Sequence, residues 1–107
     1  MTPELTSSKL LAMLSALANP HRLQMLAVLA EGSQYVSQLA REIGISRPLV
    51  HMHLKRLEDV GLVTSQLQLS EDGKAMRFYE VSQFNLPLTP GLIATLVKTS
   101  GPFPTEL

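Results

Sequence analysis

Between Ser37 and Leu57 the chain spells two short amphipathic helices separated by a single glycine, and few folds accommodate that arrangement. Leu39, Ala40 and Ile43 give the first helix one apolar face. Gly44 can take the left-handed conformation that ends it, and Ile45 is expected to drop into the core between the helices. Ser46 reads as the N-cap of the second helix, with Arg47 and Pro48 in its first turn, where proline costs little. Val50, Leu54 and Leu57 recur at helical spacing and define an inward face. The opposite face carries Arg47, Pro48, His51, Met52 and Lys55, with no acid between Ser46 and Arg56. Two helices joined by so tight a turn, the second basic on its outer side, predict a helix-turn-helix over residues 37–59. The second helix of such a unit fits the major groove of double-stranded DNA.

The next segment adds a hairpin. Glu58-Asp59-Val60-Gly61 ends the helix, and extended runs then flank Ser70-Glu71-Asp72-Gly73-Lys74, where Asp72-Gly73 is the turn signal. A helix-turn-helix followed at once by a hairpin is a winged helix. The wing is expected over 62–82, with Lys74 and Arg77 placing positive charge near its tip.

The flanks read as assembly elements. Residues 3–18 carry a helix signal in which Leu5, Leu10, Leu11, Met13, Leu14 and Leu17 exceed what one buried face requires. Asn19-Pro20 caps and starts the following helix, whose Leu23, Leu26, Leu29 and Ala30 are expected to face inward until Gly32. After the wing, residues 90–99 form a short helix with Leu92, Ile93, Leu96 and Val97 apolar and only Lys98 charged. A helix that short must pack on something. One alternative is that both terminal helices complete one monomer's core; the leucine excess favours a homodimer interface instead. Residues 101–107 read as a loose tail.

Composition sets outer bounds. A chain of 107 residues predicts one domain over 1–107, mainly α with a β-hairpin. It has no apolar run long enough for a membrane span, and Met1-Thr2-Pro3-Glu4 lacks the features of a secretory leader. The absence of cysteine excludes disulfides and thiolate metal ligands. His51 and His53 lie about 200° apart on a helix and cannot share one metal ion. His53 is expected to be a packed, hydrogen-bonded core residue, His51 to face outward and His21 to be ordinary surface. No metal or cofactor is expected. With no glycine-rich phosphate loop and no nucleophile elbow, no enzyme is expected either. Nine basic and nine acidic residues cancel, so any attraction to phosphate must rest on local placement.

Three segments also resemble the ArsR-type small winged-helix transcriptional regulators. They are Leu17-Ala18-Asn19-Pro20-His21-Arg22-Leu23-Gln24-Met25-Leu26, then Ser46 to Leu57, similar to the family's recognition helix, and Gly61-Leu62-Val63 leading to a wing that ends near Tyr79. His51 stands where the family often has a serine, and the cysteines of its metal-sensing members are missing. The resemblance implies dimerisation through the terminal helices, with repression as the commonest mode.

These readings converge on a cytoplasmic, homodimeric, sequence-specific double-stranded DNA-binding regulator. Arg47 and His51 are the candidates for base edges, since arginine pairs with guanine through two hydrogen bonds. Lys55, Arg56, Lys74 and Arg77 are the candidates for phosphates, with Ser46, Pro48 and Met52 on the same surface. Two alternatives stand beside this. One is a winged helix used for protein contact in a transcription or chromatin assembly, which the neutral charge and the apolar C-terminal helix favour. The other is a ligand-gated sensor, with the ligand at the dimer interface.

Overall fold

The computed structural model describes residues 5–99. Its elements run α1 (Ser7–Leu17), α2 (Pro20–Glu31), β1 (Gln34–Tyr35), α3 (Val36–Ile43), α4 (Arg47–Asp59), β2 (Val63–Leu69), β3 (Ala75–Val81) and α5 (Pro90–Thr99). Five helices and a small antiparallel sheet make a winged helix-turn-helix. The tail at 101–107 and the first residues of the 3–18 segment lie outside the described residues.

Four of the five described helices begin at a residue whose side chain caps them. Thr6 Oγ1 accepts from the Lys9 N–H, Asn19 Oδ1 from the His21 and Arg22 N–H groups, and Ser46 Oγ from Leu49 N–H. Thr89 Oγ1 does the same for Leu92 N–H at the start of α5. The ends of α3 and α4 share one solution. Gly44 and Gly61 sit at φ 80° and 78°, a region side chains avoid. The next N–H then reaches back five residues, Ile45 to the Ala40 carbonyl at 3.2 Å and Leu62 to that of Leu57 at 2.9 Å. Each reversal turns an apolar residue inward: Ile45 is half-buried against the core and Leu62 is fully buried.

The core gathers Met25, Leu29, Leu39, Val50, Leu54, Leu57, Leu62 and Val63 beneath Tyr79. Side chains of this kind each stabilise the fold by about 1.5–3 kcal/mol when fully buried. Val50, Leu54 and Leu57 take the inward face expected of them. In α2 the expectation was partly wrong. Leu26 and Leu29 are buried, but Leu23 and Ala30 are exposed and Met25 takes the central position. The buried arc of α2 is rotated because Arg22, one turn before Met25, also points inward.

The wing pairs β2 with β3 from Val63↔Val81 to Leu69↔Ala75. The sheet has a third strand that the sequence reading did not contain. β1 pairs with the other side of β3, Gln34↔Tyr79 and Tyr35↔Phe78, giving the order β1-β3-β2. Two residues are too few to show an alternating pattern. The strand is held by the Tyr35 ring, 4.1 Å from that of Phe78, and by Gln38 Oε1, which accepts the Tyr35 N–H.

Arg22 is the least expected member of the interior. Its Nε donates to the Ala16 carbonyl at 2.5 Å and Nη2 to that of Ser15 at 3.4 Å, while Nη1 lies 3.0 Å from His53 Nδ1. The Ala16 carbonyl would look four residues on for a helical donor, but that residue is Pro20, which has no N–H. Arg22 fills the vacancy and also meets the negative end of the α1 dipole. A guanidinium only donates, so His53 Nδ1 must accept, which fixes the ring as the neutral tautomer protonated on Nε2. His53 is thus the packed, hydrogen-bonded residue the sequence suggested. His21 departs from expectation: it is half-buried, with its ring edge-on to His53 at 5.7 Å.

Burial, reinforced by Arg22, His21 and Arg56, holds the His53 pKa below its ordinary value. Folding is therefore expected to weaken as pH falls below about 6.5, where the unfolded chain takes up a proton that the folded one resists. The loss should level off below the folded pKa. Urea midpoints at pH 7.5 and 5.5 would measure it, and His53→Gln, which keeps an acceptor and removes the titration, should flatten the difference. An unchanged difference in that variant would assign the effect to other groups.

Candidate nucleic-acid interface

Helix α4 divides into a buried and an open face. Arg47, Pro48, His51, Met52, Lys55 and Arg56 are all exposed, opposite the fully buried Val50, Leu54 and Leu57. At 100° per residue, Pro48, Met52, Lys55 and Asp59 occupy the centre of the open face. Arg47 and His51 lie on one shoulder, and Arg56 lies on the other.

The shoulders face different surroundings. Arg47 lines a depression with Ser37, Ala40, Arg41, Ile45 and Ser46, where α3 turns into α4. Neither Arg41 nor Arg47 has a hydrogen-bond or ion-pair partner among the described residues. Arg41 was not singled out from the sequence, although Ser37 and Arg41 stand four apart on the polar side of α3, which puts them on one helix face. Arg56 instead lines a cleft against α1 with Ala12, Ser15, Ala16 and Arg22. The chain therefore does not gather Arg56 with Arg47.

Lys55 donates to Asp59 at 2.9 Å, one turn on, and this bond raises the Lys55 pKa. Both groups are well exposed, so the pair contributes little to stability and opens readily to a competing anion. In the wing, Lys74 follows the turn, where Asp72 takes a hydrogen bond from Ser70 that holds its carboxyl below the ordinary range. Arg77 lies opposite Leu67, and its Nη1 donates to Ser65 Oγ at 3.0 Å, which in turn donates to Glu58 Oε2 at 3.3 Å. That chain draws Arg77 toward the base of the wing rather than its tip. Among the described residues no three His, Asp or Glu side chains gather as a metal site, and no helix is long and apolar enough to cross a membrane.

A family model described as bacterial regulatory protein, arsR family, matches residues 19–65, from the start of α2 into the wing. The chain is also 37% identical over 83 residues to an uncharacterized HTH-type transcriptional regulator of Methanocaldococcus jannaschii, covering 78% of this chain and 86% of that one. The chain belongs to the arsR family. This arsR-family protein is a transcriptional regulator with a DNA-binding winged helix-turn-helix. It is 36% identical over 63 residues to a Streptomyces lividans protein named a probable mercury resistance operon repressor, covering 59% of this chain but only 47% of that longer relative. Among solved structures, it resembles a homodimeric winged helix-turn-helix DNA-binding domain from Mycobacterium bovis, with a TM-score of 0.61 and 26% identity, covering 83% of this chain and 71% of that one.

Proposed function

We propose that this arsR-family regulator is a cytoplasmic repressor acting as a homodimer on double-stranded DNA, with one α4 in each of two successive major grooves. The observation that carries this reading is the open face of α4, which presents Arg47, Pro48, His51, Met52 and Lys55 on a helix anchored by three fully buried residues. Arg47 and His51 contact base edges, because side chains near the start of a docked helix reach them first. Lys55, Lys74 and Arg77 contact phosphates, joined by Ser46 and by Arg41 across the depression it shares with Arg47. Arg56 is left out of this set because it lines the α1 cleft. Repression and dimerisation draw support from the names of the Streptomyces lividans and Mycobacterium bovis proteins.

The test is fluorescence anisotropy on a duplex selected from a random library and on unselected duplex, at two salt concentrations. Arg47→Ala is expected to cost about 1–3 kcal/mol on the selected site and less on the other. Lys74→Ala should weaken both alike and reduce the salt slope by about one. Equal losses for Arg47→Ala would show that the helix docks differently. No binding at micromolar protein would move the function to protein contact, which the zero net charge and the exposed Leu49 and Met52 of α4 favour.

A further inference from the structure

A groove runs along α1 where it meets the C-terminal end of α4. One end is lined by Arg22 and Arg56 beside Ala16. The other is lined by Leu5, Lys9, Met13 and Gly61, and Ala12, Asp59 and Val60 border both. The two ends differ in chemistry: one offers two guanidinium groups, the other the apolar side chains of Leu5, Met13 and Val60 with Lys9 beside them.

The basic end has an uncompensated character. Arg22 is 9% exposed, and its hydrogen bonds use three of its five N–H groups, none of them to a carboxylate. Arg56 has no hydrogen-bond or ion-pair partner among the described residues, and its positive charge repels that of Arg22. Asp59, the nearby acid, is bonded to Lys55. A planar guanidinium matches a carboxylate or a phosphate through paired hydrogen bonds. The rim carboxylate of Asp59 works against a doubly charged group and leaves a monoanion favoured. The apolar end then calls for a hydrocarbon body joined to that anion.

We propose that this groove is a ligand site for a medium-chain organic carboxylate, its head on Arg56 and Arg22 and its chain along Ala12, Met13, Val60 and Leu5. It bears on regulation only through the DNA reading above, because it abuts α4. The binding test is run without DNA, so the two readings fail separately.

The probe is sodium decanoate, titrated below its micellar range into the full chain and followed by amide chemical shifts and calorimetry. Saturable shifts confined to residues 9–16 and 56–61 are expected. Decanol, acetate and inorganic phosphate should each bind at least about tenfold more weakly, since each lacks one half of the match. Arg56→Gln, at an exposed position, should keep the fold and weaken decanoate by about tenfold or more. Arg56→Lys, which keeps the charge and loses the fork, should fall between the two. Absence of saturable shifts, decanol binding as tightly as decanoate, or unchanged affinity in Arg56→Gln would each overturn the site.

Discussion

Replacing Arg22 by leucine is expected to lower the unfolding free energy by about 2–4 kcal/mol, although nothing in the α2 sequence marks this arginine as more than a surface charge. The loss has identifiable parts. The Ala16 carbonyl, whose helical donor is absent because Pro20 stands four residues on, would be left without its 2.5 Å bond. His53 Nδ1 would lose its donor inside the fold. The Ser15 carbonyl would suffer less, because the Ala18 N–H also reaches it at 3.3 Å. Against these losses, leucine adds apolar burial and removes the desolvation of a charge, which is why the expected figure is moderate. Arg22→Lys keeps the charge but has a single donor head, and should lie between wild type and leucine. Urea unfolding at pH 7.5 followed by circular dichroism measures all three. A leucine variant within about 0.5 kcal/mol of wild type would show that packing alone holds α1 against α2 and α4.

That arginine also marks where the sequence stops being legible. The helix-turn-helix could be read because local rules and packing agree there: Gly44 adopts positive φ, Ser46 caps, and Val50, Leu54 and Leu57 repeat on the buried side. The wing could be read because its turn and its two strands are contiguous. Arg22 and β1 depend on partners distant in sequence. Arg22 meets His53 thirty-one residues away, and Gln34 and Tyr35 pair with Tyr79 and Phe78 across the whole helix-turn-helix. Local periodicity carries no trace of such pairings, so Leu23 was expected inward where Met25 stands. The candidate interface follows the same division. Helical spacing alone separates the open face of α4 from the buried one. Only tertiary placement reveals that Arg56 turns to α1, that Arg41 joins Arg47, and that Ser65 and Glu58 draw Arg77 toward the wing base.

The double variant Ile93→Glu, Val97→Glu is expected to convert the proposed homodimer to a folded monomer and to remove most DNA affinity. A ten-residue helix is not stable by itself, so α5 needs a surface. Within the chain that surface is α1, but of the helix only Leu96 is buried, while Ile93 and Val97, one turn apart, are 43% and 41% exposed. An apolar stripe left open on a helix that already depends on packing fits a second copy of the chain, in keeping with the terminal leucines of α1. Leu96→Glu would be a poor test, because it introduces a charge among contacts the monomer itself needs. The two exposed positions avoid that problem. Their glutamates are solvated in the monomer and become costly only when a partner covers them. Light scattering should report half the mass with unchanged helical circular dichroism. Affinity for a duplex with two half-sites about 34 Å apart should fall on the order of 10²–10⁴-fold, because the second helix no longer binds at the effective concentration its tether supplies. Affinity for a single half-site should hardly change, since α4 is untouched. A variant that stays dimeric would place the interface elsewhere, and a monomer that keeps full affinity for the double site would show that each chain reads DNA alone.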